Sequence, residues 1–409
     1  MRCAEKLNKL PPYLFGVINA LKQEAYAKKL DVIDLGMGNP DMATPSHIVE
    51  RLCETIKNHP RTHRYPQAKG MPKFRKTVAD WYWKKFKVKL DPESEVLALI
   101  GSKEGIGHMC MAYLDPGDLA LVPNPAYPIH RNGVILAGGE IYDIPILPEK
   151  NYLPELEKIP SKVAKQAKLM FLSYPNNPTT AVVEDISFFK EVVAFAKKYD
   201  IIVCHDFAYS EITFDGFKPP SFLQTPGAKD VGLEFHSFSK TYNMAGWRLG
   251  FCAGNRELLR SLERLKSYLD FGVFTAIQLA GVLALSASQK CVQDSVAEYK
   301  RRRDKFVDGL NRIGWKVEKP KATMYLWAKL PKKFEGMSSL QFAKLLIERT
   351  GIAVAPGIGF GSYGEGFVRM ALVTHYNRFH DALLRLKRFL KEGPPRTRGG
   401  RRVRKRMKG

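Results

Sequence analysis

From about residue 46 to residue 285 the chain alternates between short apolar runs and longer stretches with helical spacing. The runs 96–100, 119–122, 139–144, 169–173, 201–205, 233–237 and 250–253 are close to continuously hydrophobic. A strand with one wet face alternates apolar and polar residues; a continuous run marks a strand covered on both faces. Between two of these runs, residues 187–199 set Phe188, Phe189, Val192, Val193 and Phe195 along one helical stripe. Strands buried on both sides and joined by helical crossovers predict an α/β fold. Its centre would be a mainly parallel, seven-stranded sheet flanked by helices.

The remainder of the chain has a different rhythm. A short amphipathic stretch at 14–29 leads through an apolar piece at 32–35 into Gly36-Met37-Gly38-Asn39-Pro40. Helices are expected at 268–289 and 296–313, followed by strands at 315–317, 324–329 and 367–371 and two further helices. The last helix, 380–392, stops at Gly393-Pro394-Pro395, which cannot continue it. Four parts are therefore expected: an arm at 1–45 contributing to a smaller domain, a large domain at 46–285, a smaller α+β domain at 286–392, and a tail at 393–409.

Charge singles out that tail. The chain carries +24 overall, and the tail holds eight Lys/Arg and no acid, leaving about +16 on the body. Such a segment is too polar to pack and is expected to be disordered. Its Arg-Gly-Gly and Arg/Lys runs suit non-specific contact with nucleic-acid backbones, although it has no aromatic residue for stacking. The basic body suits anionic ligands such as phosphate and carboxylates. The first ten residues are polar, without the apolar core of a signal peptide. The uncharged stretch 271–289 contains Gly, Thr, Ser and Gln and reads as a buried helix rather than a membrane span. Six cysteines lie far apart with no CxxC pair and no zinc-like His spacing, so free thiols, no metal and a cytoplasmic location are expected.

Ser237-Phe238-Ser239-Lys240 follows an apolar run, with Arg248 eight residues beyond the lysine. By itself this reads more readily as a solvent-exposed lysine at a strand end. A desolvated lysine beside another cation, however, has a lowered pKa and forms imines at neutral pH. Asp206 ends the run 201–205, Tyr209 lies three residues on, and Asn177 follows the run 169–173 in Tyr174-Pro175-Asn176-Asn177-Pro178-Thr179. Each has a plain structural reading: a helix cap for Asp206, a turn for Asn177-Pro178, core for Tyr209. Together at strand C-terminal ends, where α/β sheets place ligands, they match the needs of pyridoxal 5′-phosphate (PLP). That cofactor requires a lysine for the imine (Lys240) and phosphate donors (Ser237, Arg248). It also requires an acid at its ring nitrogen (Asp206) and donors at its phenolic oxygen (Tyr209, Asn177).

The motifs LGMGNPD, HRYPQAKGMPKFR, GSKEG, PNPAYP, YPNNPT, HDFAY, SFSKTYNMAGWRLGF and FVRMAL extend the match over residues 10–392. The sequence resembles the class I/II aminotransferases of PLP fold type I, most closely the alanine (glutamate–pyruvate) and LL-diaminopimelate branch. The resemblance implies that Lys240 forms the Schiff base with PLP and shuttles the proton. It implies cofactor contacts from Ser102 and Lys103 at a helix N-terminus, from Ser239 beside Ser237, and from Tyr127 stacked on the ring. Tyr65 would reach the phosphate of a neighbouring subunit, which makes the enzyme a homodimer with shared sites. Arg369, Asn177 and Gly38 would receive the substrate carboxylate. The implied activity is ping-pong transfer of an amino group between an L-amino acid and a 2-oxo acid, with alanine/glutamate and pyruvate/2-oxoglutarate the expected pairs. LL-diaminopimelate, aspartate or methionine transamination and a PLP-dependent C–S lyase are the alternatives within the class; nucleic-acid binding through the tail is the alternative outside it. Thr180 stands where the family often has Gly, as in the alanine-type branch. Met324 is expected near the substrate side chain. No arginine stands out as a side-chain carboxylate clamp, which disfavours a dedicated aspartate enzyme.

Overall fold

The computed structural model describes residues 2–12 and 14–395. The basic tail beyond Pro395 lies outside the described residues. All seven expected strands form, as β1 Val96–Leu99, β2 Leu119–Asn124, β3 Glu140–Pro145, β4 Ala167–Ser173, β5 Ile202–Asp206, β6 Gly232–Ser237 and β7 Gly250–Gly254. They make one sheet in the order β1-β7-β6-β5-β4-β2-β3. Only β7 runs against its neighbours, β1 and β6; the other pairs are parallel. The ends of β1 to β6 and the start of β7 therefore share one edge.

Two-sided burial is what made these strands legible. Leu97, Leu99, Phe171, Phe235 and Cys252 pack on one face, and Ala98, Met170, Leu172, Val203 and Phe251 on the other. That is the period-two alternation of a pleated strand with a core on each side. Helix Ser187–Tyr199 covers one face with Phe188, Phe189, Val192, Val193 and Ala196. Phe195 turns to the flank, where its ring meets Tyr199 at 4.9 Å. Inside that layer, buried Glu234 on β6 lies 2.9 Å from His205 Nδ1 and accepts from the Tyr82 hydroxyl at 2.8 Å and the Phe222 amide at 2.7 Å. Burial pushes its pKa up, but the contacts with His205 and His236 outweigh that and hold it well below the carboxylate range. The network fixes β5 and β6 relative to each other just behind Asp206.

A second layer is built from β8 Tyr325–Lys329, β9 Ala355–Pro356 and β10 Phe367–Ala371, antiparallel in the order β9-β10-β8. The N-terminal segment joins it: Ile33–Asp34 pairs with Ile352–Ala353, and the Ala371 amide donates to Leu35 O at 2.7 Å. Helices Lys290–Arg312, Ser339–Thr350 and Tyr376–Glu392 pack around it. Buried Arg302 donates to Asp41 (2.7 Å), Glu298 (2.8 Å) and Leu372 O (3.0 Å), pinning the loop after Gly38 to this layer.

Two expectations fail. The single helix at 268–289 is broken: Arg256–Leu269 ends, and a new helix spans Thr275–Ser286. Phe271 and Gly272 take left-handed backbone, Asp270 accepts from the Gly272 amide at 2.8 Å, and a side chain at 272 would press on Gln67 O at 3.0 Å. The strand at 315–317 has no ladder partner; the Val317 amide donates instead to the Asn311 side chain, and the Trp315 indole to Lys329 O. The six cysteines are unpaired. Among the described residues, no helix is long and apolar enough to cross a membrane.

Candidate active site

Along the shared edge of the sheet the first feature is an anion cradle. β1 runs through Ile100-Gly101 into helix Ser102–Tyr113, whose N-terminus has no side-chain cap. Backbone amides at a helix start, with the helix dipole behind them, favour an anion. Gly101 sits at φ 80°, ψ 155°, a conformation open essentially to glycine alone. A Cβ there would lie 2.4 Å from Arg248 Nη2, so its absence lets the guanidinium close over the loop. Arg248 donates to Ala245 O at 3.0 Å, Ile100 O at 3.4 Å and Ser239 Oγ at 3.4 Å. Ser237 Oγ accepts from the Ser239 amide at 3.2 Å, which shapes the turn below. Lys103 faces the same cradle; burial lowers its pKa and the Arg248 charge adds to the effect. Two cations that repel each other across an uncapped helix start fit a phosphate.

Lys240 stands at the end of the short helix after β6, with Nζ donating to Gly38 O at 2.7 Å. Withdrawal from water lowers its pKa, and Arg369 and Arg248 push the same way against an opposing effect of Tyr325. A lowered lysine pKa means more free amine at neutral pH, the form that attacks carbonyls and accepts protons. At the end of β5, buried Asp206 accepts from the Ala208 amide at 3.2 Å through one oxygen; the other lies 3.3 Å from His130 Nε2. The local bond closes a turn, where the plain structural reading anticipates a helix cap. The second oxygen meets an imidazole, stacked on Phe171 at 5.6 Å, rather than a guanidinium or ammonium. Tyr127 is edge-on to His130 at 6.2 Å, in the same corner.

Asn177, after β4, accepts from Arg369 Nη1 at 2.8 Å, and Arg369 Nη2 donates to Gly36 O at 3.1 Å. The guanidinium lies 4.1 Å from the centre of the Tyr325 ring and 4.7 Å from that of Phe360. Tyr209 and Tyr325 share a buried hydroxyl–hydroxyl bond of 2.9 Å. Burial pushes the Tyr209 phenol well above its ordinary value; Tyr325 is held below its own, burial being outweighed by Arg369 and Lys240. A Cβ on Gly38 would lie 1.9 Å from the Tyr325 hydroxyl, so the missing side chain makes room for that group.

Ser102, Lys103, Ser237, Ser239 and Arg248 thus gather at the cradle, and Lys240, Gly38, Asn177, Tyr209 and Arg369 at its mouth, with Asp206 and Tyr127 beside them. Tyr65 stands apart: it is 88% exposed, its ring 5.4 Å from Phe271. Met324 is a correction. It packs in the core of the second layer, and its neighbour Tyr325 is the residue that reaches the site. Tyr325, Phe360 and His130 went unread because nothing in their sequence context separates them from core. Glu104 was also missed. It accepts from the Ile100 amide at 3.1 Å and from buried Lys266 at 2.6 Å, and Lys266 also meets Asp270. With His108 these carboxylates could surround a cation; the Lys266 ammonium already fills that role.

The profile of the aminotransferase class I and II family matches residues 30–379. The LL-diaminopimelate aminotransferase of Moorella thermoacetica is 50% identical over 95% of this chain and 99% of its own. The glutamate–pyruvate aminotransferase AlaC of Escherichia coli is 48% identical over 93% of this chain and 92% of its own. Among solved structures, apo-BacF from Bacillus subtilis superposes with a TM-score of 0.91 at 39% identity, covering 97% of this chain and 99% of that one. The cradle, the desolvated lysine and the buried acid fit PLP, and the chain belongs to the class I and II aminotransferases, PLP-dependent enzymes of fold type I that move amino groups between amino acids and 2-oxo acids.

Proposed function

We propose that this enzyme transfers the amino group between alanine or glutamate and pyruvate or 2-oxoglutarate, with Lys240 as the Schiff-base lysine and proton carrier. The observation that carries the reading is the convergence of the Lys240 amine and the Arg369 guanidinium on the Gly36–Gly38 backbone and Asn177. PLP, when bound, supplies an electron sink for negative charge at the substrate Cα. Ser102, Lys103, Ser237, Ser239 and Arg248 hold its phosphate; Asp206 keeps its ring nitrogen protonated; Tyr127 covers its ring; Tyr209 and Asn177 donate to its phenolic oxygen. Arg369 grips the substrate carboxylate through a two-pronged guanidinium and aims Cα–H at the lysine. Lys240 Nζ, released from Gly38 O, takes that proton and delivers it on the same face, acting as base and then as acid.

LL-diaminopimelate as donor is the second reading, supported by the names of relatives near 50% identity. Both readings are tested by adding each amino acid singly to the PLP enzyme and following the cofactor's absorbance and the released 2-oxo acid. Alanine or glutamate should convert the bound cofactor to its aminated form with one equivalent of oxo acid. Conversion by LL-diaminopimelate alone would move the assignment to that substrate; pyruvate and ammonia from cystathionine without aminated cofactor would make the protein a lyase.

The chain is proposed to divide into large (46–285) and small (1–45 with 286–392) domains, to reside in the cytoplasm and to act as a homodimer. The exposed pair Tyr65 and Phe271, whose rings meet at 5.4 Å, together with exposed Tyr268 and Phe274 close by in the chain, supports the dimer, since a monomer rarely leaves large aromatics wet together.

A further inference from the structure

Tyr325 belongs to none of the roles above, yet it touches three of the groups that fill them. Its hydroxyl bonds that of Tyr209 at 2.9 Å, its ring lies 4.1 Å from the Arg369 guanidinium, and its hydroxyl occupies the space left by Gly38, whose carbonyl receives Lys240. It begins β8, opposite Ala371 and two residues along the ladder from the Trp327–Arg369 pair, so the backbone holds it firmly against β10. We propose that Tyr325 is a positioning residue with two separable functions: its hydroxyl aims Tyr209 at the cofactor, and its ring sets the plane of Arg369 for the substrate carboxylate. The inference rests on the assignment of Tyr209 and Arg369 made above.

The physical reasons differ for the two ends of the side chain. A phenol has one proton to donate, so if Tyr209 gives its own to the cofactor, Tyr325 is the donor in their shared bond; that bond polarises Tyr209 and makes it a stronger donor in turn. A guanidinium stacked on an aromatic face can slide but not tilt, which leaves its forked edge presented in one plane. Phe360, at 4.7 Å on the same guanidinium, gives the arginine a second aromatic neighbour. The titratable groups that act on Tyr325 are Tyr209, Lys240 and Arg369.

Tyr325→Phe removes the hydroxyl and keeps the ring; Tyr325→Met fills similar space with neither. The cofactor's absorbance is titrated with pH in each PLP-loaded variant, PLP is titrated into each apo-protein, and kcat and KM are measured for the preferred amino acid. In Tyr325→Phe the absorbance titration should move upward by about half a pH unit, because a weakened Tyr209 stabilises negative charge on the phenolic oxygen less well. Its KM should stay within about twofold of the parent. Tyr325→Met should show the same titration and, in addition, a KM raised about 30-fold, the worth of one desolvated cation–aromatic contact of about 2 kcal/mol. Should the Met variant not fold, pentafluorophenylalanine at 325 keeps the shape of Phe while reversing the charge of its face, and KM should rise likewise. An unchanged titration in Tyr325→Phe overturns the hydroxyl role, and equal KM in ring-bearing and ring-altered variants overturns the ring role. Arg369→Ala with unchanged KM would overturn a different statement, the assignment of the clamp itself.

Discussion

Gly101→Ala isolates the cradle. The backbone at 101 lies at φ 80°, ψ 155°, and the added methyl would sit 2.4 Å from Arg248 Nη2 and 3.0 Å from its Cζ. Two costs follow, and they appear in different measurements. The dihedral strain, about 1–3 kcal/mol for a non-glycine residue there, is present with or without cofactor and lowers the stability of the apo-protein. Displacement of Arg248 breaks its bond to Ile100 O and carries its charge off the phosphate position. A charge-assisted hydrogen bond contributes about 1.5–3 kcal/mol, so PLP affinity should fall roughly 10- to 150-fold. The assay is titration of apo-protein with PLP by absorbance, paired with thermal unfolding of the apo-form. Lower stability with unchanged PLP affinity would refute the reasoning, because it would show that Arg248 does not hold the phosphate from where it stands.

Two further outcomes are expected. Because the folded-state pKa of Lys240 lies below its ordinary value of 10.5, the unfolded chain binds the extra proton between those two values, and apo-protein stability should rise with pH across that window; Lys240→Met should flatten that part of the stability profile, as read from urea midpoints at several pH values. If Tyr65 serves the partner's site, mixing inactive Lys240→Ala and Tyr65→Ala chains under exchange should restore up to about a quarter of parental activity, since half the dimers are hybrids with one intact site; a mixture as inactive as its components would count against shared sites.

Sequence legibility followed burial. The seven sheet strands were readable because burial on both faces leaves an uninterrupted apolar run, and β4 shows it with Leu169 to Leu172 fully enclosed. The failures have local causes. Residues 268–289 keep helical spacing through the break, and only Gly272 hinted at it; the reason it must break, the approach of Gln67 and Ala68, comes from a distant part of the chain. Residues 315–317 are apolar enough for a strand, but their polar backbone groups are met by Asn311, which periodicity does not reveal. Met324 and Tyr325 show how a one-residue shift changes which side chain reaches the site. Thr323 lies at φ 73°, and that kink sets the parity. Lys240, Asp206 and Asn177 stood out as candidates for the opposite reason: each is a polar residue at or just past the end of an apolar strand.

The charge balance of the site explains why net charge said so little about it. Lys103, Lys240, Arg248 and Arg369 converge where Asp206 is the carboxylate among the site residues, while Glu104 is matched locally by Lys266. Arg369 is 1% exposed, and a cation so far from water is costly unless its donors are met. Asn177 and Gly36 accept from its two terminal nitrogens with neutral oxygens, which satisfy geometry without cancelling charge. The excess is therefore a standing preference for anions at two separated points: a phosphate under Arg248 and Lys103, and a carboxylate at Arg369. A protein of the same +24 could spread that charge over its surface and bind neither. Two anion points with a lysine between them would orient a phosphorylated cofactor and an amino acid toward each other before either reacts, and the fold provides them by setting Lys103, Lys240 and Arg248 along one edge of the seven-stranded sheet and Arg369 in β10 of the second layer.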